Sequence, residues 1–260
     1  MKNMTPEQRR ELFPDNLILL GYRGSVAHNM YVPNTDPNSI DDIDLMGVYM
    51  APVDHYIGTI KTKETYERFI DEWDVVSYEF LKFVHLLIKS NPNVLSLLWI
   101  RENYYIERHA YGQALIDNRD LFVSKKAYHS FTGYAYSQLK RMTHMSKEGY
   151  MGKKRKALVD KYGYDCKNAA HCIRLLKMGM EFLTEGSLNV FREDAPWLLE
   201  IKRGEWKLSE VKSVAKRLFE LADEAYIKST LPAEPDYDKI NELVKKILLN
   251  YINGSVNEIR

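Results

Sequence analysis

The 260-residue chain has only two cysteines, Cys166 and Cys172. Six residues apart on a predicted helix, they face different ways, so neither a local disulfide nor a zinc knuckle is favoured. No window approaches the roughly 18 consecutive apolar residues of a membrane-spanning helix. The N-terminal stretch MKNMTPEQRRELF is charged and amphipathic and lacks the apolar core of a secretory signal. There is no internal repeat and no low-complexity tract. These absences set the expectation of a reduced, cytoplasmic protein without a membrane segment. What is present is a globular composition: 45% hydrophobic and 28% charged residues, enough for one large domain or two small ones.

The formal net charge is only +1, yet it is unevenly spread. Ten cationic residues stand between Ser124 and Gly163 against Glu148 and Asp160. That segment carries +8, so the rest of the chain carries −7. Such asymmetry suggests a face for a polyanion.

Thr5-Pro6-Glu7-Gln8 is a helix start with a capping Thr, Pro in the first turn and Gln three residues after the cap. Leu17–Leu20 reads as a short buried strand. It stops at Gly21-Tyr22-Arg23-Gly24-Ser25, with a helical segment expected over Val26–Tyr31 and a loop over Pro33–Ser39. Strands are predicted over Ile43–Met50, Thr59–Phe69 and Trp73–Tyr78, and a helix over Phe80–Lys89. Past about residue 110 the strand signals end. Helices are predicted over Ala127–Met145, Asp165–Leu183, Ser209–Lys228 and Asp236–Tyr251, with Ser209 and Asp236 as caps.

One stretch carries chemistry. In a strand, positions i and i+2 share a face, so Asp42 and Asp44 project together while Ile43 and Leu45 pack on the other side. Two neighbouring carboxylates repel, and a divalent cation removes that repulsion. Hard oxygen ligands favour Mg²⁺, which binds through one or two carboxylates plus substrate phosphates. Upstream, Gly24 allows a phosphate to approach the backbone, and the following N–H groups and the Ser25 hydroxyl can donate to it. A calcium loop starting at Asp36 fails, because its sixth and twelfth positions hold Asp41 and Gly47. The bland alternative is that Asp42 and Asp44 end a loop and are simply solvated.

This Gly-Ser turn followed by Asp-x-Asp and an apolar strand resembles the nucleotidyltransferase superfamily of DNA polymerase β. More narrowly, the chain is similar to the RlaP group of nucleotidyltransferases associated with RNA repair. The likeness extends to Gly47-Val48-Tyr49 with Pro52 and Tyr56-Ile57-Gly58, to Asn91-Pro92-Asn93-Val94-Leu95 with Leu98-Trp99, and to Tyr164-Asp165-x-Lys167 with His171 and Arg174-Leu175-Leu176. Ser229-x-Leu231-Pro232 fits as well. The superfamily often has Gly a few residues after the Gly-Ser pair and Ser before the first Asp. Here those places hold Asn29 or its neighbours, and Asp41.

The resemblance implies an α+β fold: a polymerase β-type mixed sheet with helices over residues 1–120, then a helical region over 121–260. It implies a third metal-binding carboxylate on a later strand, for which Asp74 is the choice and Asp71 and Glu79 are rivals. Asp42, Asp44 and Asp74 would hold Mg²⁺, or Mn²⁺. Gly24 and Ser25 would orient a nucleoside triphosphate (NTP) whose α-phosphorus is attacked by an acceptor hydroxyl.

Lys167, His171 and Arg174 fall at i, i+4 and i+7 of one predicted helix. They could face the triphosphate or an acceptor phosphate, or be a solvated stripe. In the basic segment, lysines and arginines interleave with Tyr128, Phe131, Tyr134, Tyr136, Tyr150 and Tyr162, and Lys153-Lys154-Arg155-Lys156 is its densest part. Cations that bind phosphates and aromatics that stack on bases suit RNA, and a solubilising loop is the alternative. The leading expectation is transfer of a nucleoside monophosphate (NMP) from an NTP to an acceptor hydroxyl, on an RNA end. The alternatives are transfer to a protein or small molecule, and a non-catalytic nucleotide- or RNA-binding module. The oligomeric state has no signature in the sequence.

Overall fold

A computed structural model describes residues 4–33, 35, 36, 39, 41–143 and 153–257. In chain order the elements are α1 (Pro6–Leu12), β1 (Leu17–Tyr22), α2 (Gly24–Ala27), β2 (Ile43–Tyr49), α3 (Val53–Ile57), β3 (Thr65–Ile70), β4 (Trp73–Glu79), α4 (Phe80–Ile88), α5 (Pro92–Ser96), β5 (Tyr105–Arg108), α6 (Ala110–Asp117), α7 (Ala127–Thr143), α8 (Lys153–Tyr162), α9 (Cys166–Glu185), α10 (Ala195–Lys202), α11 (Leu208–Lys228) and α12 (Tyr237–Asn257). Short 3₁₀ turns precede β5 and α7.

The five strands form one mixed sheet in the order β3-β4-β2-β1-β5. Strands β2 and β4 run parallel, and the other pairs are antiparallel. A parallel pair needs a long crossover; here residues 50–72, with α3 and β3, carry the chain from β2 back to β4. The central strands are buried nearly throughout, and the edge strand β3 is mostly exposed. One continuous set of buried apolar residues runs from Leu12 through Leu19, Leu45 and Val75 to Phe131, Phe182 and Ile247. Burying such side chains contributes about 1.5–3 kcal/mol each.

Local chemistry explains the boundaries. Thr5 and Gln8 cap α1 reciprocally: the Thr5 Oγ1 accepts from the Gln8 N–H (3.2 Å) and the Gln8 Oε1 from the Thr5 N–H (2.9 Å). Asp165 caps α9 by accepting from the Asn168 N–H (3.1 Å), and Asp236 accepts from the Lys239 N–H (3.1 Å). Helix α11 opens at Leu208 rather than at a Ser209 cap, because Glu210 reaches back to the Lys207 N–H (2.7 Å). Helices α7 and α9 cross closely at Gly179, where a Cβ would come 2.8 Å from the Phe131 Cβ.

Several expectations are corrected. The strand expected over Thr59–Phe69 begins only at Thr65, after the turn that follows α3. Val26–Tyr31 is not a helix. A single turn, Gly24–Ala27, ends at Asn29, whose φ is 59°. Asn is among the few residues that accept this left-handed conformation, which accounts for a residue other than Gly at that place. Strand β5 and helices α6, α8 and α10 were not foreseen, being short or weakly periodic. Lys147, Glu148 and Tyr150 of the basic segment, and Met145 at the expected end of α7, lie outside the described residues. Among the described residues, no helix is long and apolar enough to cross a membrane. Both cysteines are buried and unbridged.

Candidate active site

Strand β2 ends its loop with Asp41 and Asp42 and carries Asp44 as its second residue. The parallel register places Asp44 directly beside Asp74 of β4. Residues paired in register share a face of the sheet, so these two carboxylates stand next to each other. The Arg23 guanidinium lies 3.6 Å from Asp44 Oδ1 and 3.3 Å from Asp74 Oδ1, and its Nε donates to the Leu45 carbonyl (3.2 Å). Burial raises the Asp44 carboxyl to about 6. Asp74 and Asp42 push it the same way, and Arg23 and Lys167 oppose. Asp42 is exposed, just outside the strand, yet near enough for its charge to act on Asp44.

The rivals for the third carboxylate are placed elsewhere. Asp71 sits in the β3–β4 turn with φ 55° and accepts from Gln8 Nε2 (2.9 Å). Glu79 is buried, accepts from the Tyr56 hydroxyl (2.7 Å) and caps α4 through the Lys82 N–H (2.9 Å).

Gly24 packs against Asp44. Its φ is 60°, and a Cβ there would lie 2.1 Å from Asp44 Oδ2. Only glycine combines that backbone with that proximity. The neighbouring Ser25 Oγ is buried and, among the described residues, has no hydrogen-bond partner.

Together these residues border a cavity of about 210 Å³ between the sheet and the helical half. Asp44, Gly24 and Ser25 form one wall. Arg23, Lys167, His171, Arg174 and Lys202 contribute to the rest, with Asn93 and Tyr134. Lys167, His171 and Arg174 thus do meet the Gly-Ser turn, but as an inward-facing group and not as a solvated stripe. Arg174 is 7% exposed. Its Nη1 contacts His28 Nε2 (2.6 Å) and Met178 Sδ (3.2 Å), and among the described residues no carboxylate pairs with it. Burial lowers its pKa from the ordinary arginine value to about 9. A buried guanidinium without a counter-ion is costly, and an anion entering the cavity would relieve it.

His28 orients that guanidinium. Its Nδ1 lies 2.8 Å from the Val190 carbonyl, an acceptor only, so Nδ1 carries the proton and Nε2 accepts from Arg174. Burial and the Arg174 charge keep His28 neutral by lowering its pKa well below the ordinary histidine value. His171 is held neutral in the same way, by burial first and then by Arg174, Lys167, Arg155 and Arg141. The His171 ring borders the cavity edge-on to Tyr134, at 5.0 Å between centroids.

Asp41 is buried and tied from three sides. It accepts from the Val32 N–H (3.0 Å), pairs with Lys202 of α10 and lies 3.4 Å from Lys167 Nζ. Lys202 also donates to the Met30 carbonyl (2.8 Å). This network fastens the loop between the two motif halves onto the helical region. Arg23, His28, Asp41 and Lys202 were not singled out for these roles from the sequence, since each acts through partners far along the chain.

The basic run is dispersed. Lys153 and Lys154 open α8. Arg155 is committed to Asp165 (2.7 Å) and Asn168 (2.8 Å) at the start of α9, and Lys156 is exposed.

The carboxylates fit a hard divalent cation in donor type. Among the described residues, no three His, Cys, Asp or Glu side chains are already closed into a metal cage. Mg²⁺ does not require one, because it uses one or two carboxylates and completes its shell with phosphate oxygens and water. Burial is the main cause of the raised Asp44 pKa and Asp74 adds to it, while the Arg23 guanidinium already lends positive charge to both.

A family model described as "RlaP: RNA repair pathway DNA polymerase beta family" matches residues 15–246. The chain is also 25% identical over 251 residues to the uncharacterized protein MJ0002 of Methanocaldococcus jannaschii, spanning 91% of this chain and 97% of that protein. No solved structure gives a significant match.

Proposed function

The chain belongs to the RlaP family, the RNA repair pathway DNA polymerase beta family, and on that premise we propose that it transfers an NMP from an NTP to the hydroxyl of an RNA end and releases pyrophosphate. The observation that carries this reading is the buried Arg174 guanidinium, with which no carboxylate pairs among the described residues, in the same cavity as Asp44 and the Gly24-Ser25 turn. A cavity with Asp44 at one wall and a buried guanidinium at another suits a metal-bound triphosphate.

In this reading Arg174, positioned by His28, binds a phosphate oxygen, as does the Ser25 hydroxyl. Lys167 and Arg23 add positive charge on either side of Asp44. Asp42, Asp44 and Asp74 would hold Mg²⁺ or Mn²⁺, which when bound activates the attacking hydroxyl and neutralises the departing charge. The acceptor oxygen bonds to the α-phosphorus, the bond from the α-phosphorus to the bridging oxygen breaks, pyrophosphate leaves with the electron pair, and the hydroxyl proton passes to solvent. The protein's part is positioning and charge stabilisation. The division at residue 120 then separates a carboxylate-bearing half from a half that supplies cations.

The test is incubation with each labelled NTP, Mg²⁺ or Mn²⁺, and a panel of RNAs that includes nicked tRNA. Label is expected on RNA with the wild type and at background with Asp44→Asn or Asp74→Asn, both retaining the wild-type fold by circular dichroism. Label on protein alone, or undiminished transfer by Asp44→Asn, refutes the proposal.

A further inference from the structure

Beyond Asp74 the sheet has one more strand. The antiparallel register pairs Phe69 of β3 directly with Asp74, as the parallel register pairs Asp74 with Asp44. Residues in register share a face, so Asp44, Asp74 and Phe69 form one row across three strands. Exposure rises along that row: 24% for the Asp44 side chain, 43% for Asp74 and 61% for Phe69. The cavity lies at the other end, bordered by Asp44 but by neither Asp74 nor Phe69. The row is thus closed where the triphosphate would sit and open at the sheet edge.

A single exposed aromatic on a surface is ordinary. Phe69 is set apart by its place. On the same strand, Tyr66 and Arg68 point to the opposite face, where Tyr66 meets Tyr49 and the Arg68 guanidinium. Phe69 alone of the three presents a bare ring beside the carboxylate that opens towards solvent. An acceptor must bring its hydroxyl to that carboxylate from the open side, and the next surface it meets is this ring.

We propose that Phe69 is the floor of an acceptor subsite, on which the terminal base of a single-stranded nucleic acid stacks while its sugar hydroxyl reaches Asp74. The proposal rests on the reading of Asp44 and Asp74 as the reacting carboxylates, and it specifies the occupant as a nucleobase. Aromatic rings hold unpaired bases by their π-faces with little regard to sequence, which suits an end-processing reaction.

The test uses the full chain with Phe69→Ala and Phe69→Trp. Fluorescence anisotropy reads binding of a labelled single-stranded RNA oligonucleotide with an intact or an abasic 3′-terminal nucleotide, without any need for turnover. The wild type and Phe69→Trp are expected to prefer the intact end by about 5- to 150-fold. Phe69→Ala is expected to lose that preference while keeping the wild-type affinity for NTP by calorimetry. Equal binding of intact and abasic ends by the wild type overturns the proposal. So does a Phe69→Ala variant that still discriminates, or one that loses NTP affinity to the same degree. Failure of the nucleotidyltransferase reading is separately visible, as undiminished transfer by Asp44→Asn.

Discussion

Replacing Arg174 with Met separates a phosphate ligand from a structural strut, because the two roles predict opposite signs. The guanidinium is buried, and its near contacts are His28 and Met178. Its pKa falls from the ordinary arginine value to about 9. At about 1.4 kcal/mol per pH unit, this bounds the cost of the buried charge in the free protein at about 5 kcal/mol. Losing the contacts to His28 and Met178 offsets part of that, leaving a net gain of about 1–3 kcal/mol for Arg174→Met. For a chain of this size, Tm should rise by about 2–12 °C. Nucleotide binding should move the other way, since a hydrogen bond from a charged donor contributes about 1.5–3 kcal/mol, or roughly 10- to 150-fold in Kd. The pH dependence follows from the depressed pKa. Below about pH 9 the charge and its penalty are complete. As pH rises from there towards the ordinary arginine value, the folded state sheds its proton first and the penalty is relieved, while triphosphate affinity falls. Thermal melts and titration calorimetry on both proteins, with and without NTP, check both signs. A lower Tm for free Arg174→Met together with unchanged NTP affinity would refute the reasoning.

Gly24→Ala should cost about 1–2 kcal/mol in backbone strain alone. Because the new Cβ would fall 2.1 Å from Asp44 Oδ2, it should displace that carboxylate and abolish transfer in a folded protein; retained activity shows that Asp44 need not stand against the turn. Lys202→Met leaves Asp41 buried with one cation fewer. Breaking a buried pair costs about 3–5 kcal/mol, so Tm should drop by roughly 6–20 °C, and a drop under about 2 °C means that the network does not anchor the loop.

Much of the site's chemistry could be read along the chain, because it is carried by residues a few positions apart. Gly24-Ser25 and the Lys167/His171/Arg174 periodicity follow from a turn and the helical repeat, whereas Asp42, expected in the strand beside Asp44, lies just before β2. The helix caps at Thr5, Asp165 and Asp236 are local in the same sense. Pairing is not local. That Asp74 faces Asp44, while Asp71 closes a turn and Glu79 caps a helix, is decided by the register of β4 against β2 and by the packing around Tyr56. The basic run 153–156 looked like one phosphate-binding strip, yet Arg155 spends its hydrogen bonds on Asp165 and Asn168.

The sequence by itself determined the mixed sheet followed by helices, the small-residue turn and the acidic strand, since periodicity and backbone chemistry are properties of neighbouring residues. Only the tertiary structure decided that His171 is buried beside Arg174, that Arg174 rests on His28 with no carboxylate pairing with it among the described residues, and that Asp41 is held by Lys202, 161 positions away. Burial and long-range contact set the charge state of a side chain, and neither exists until the chain has packed the helical half against the sheet.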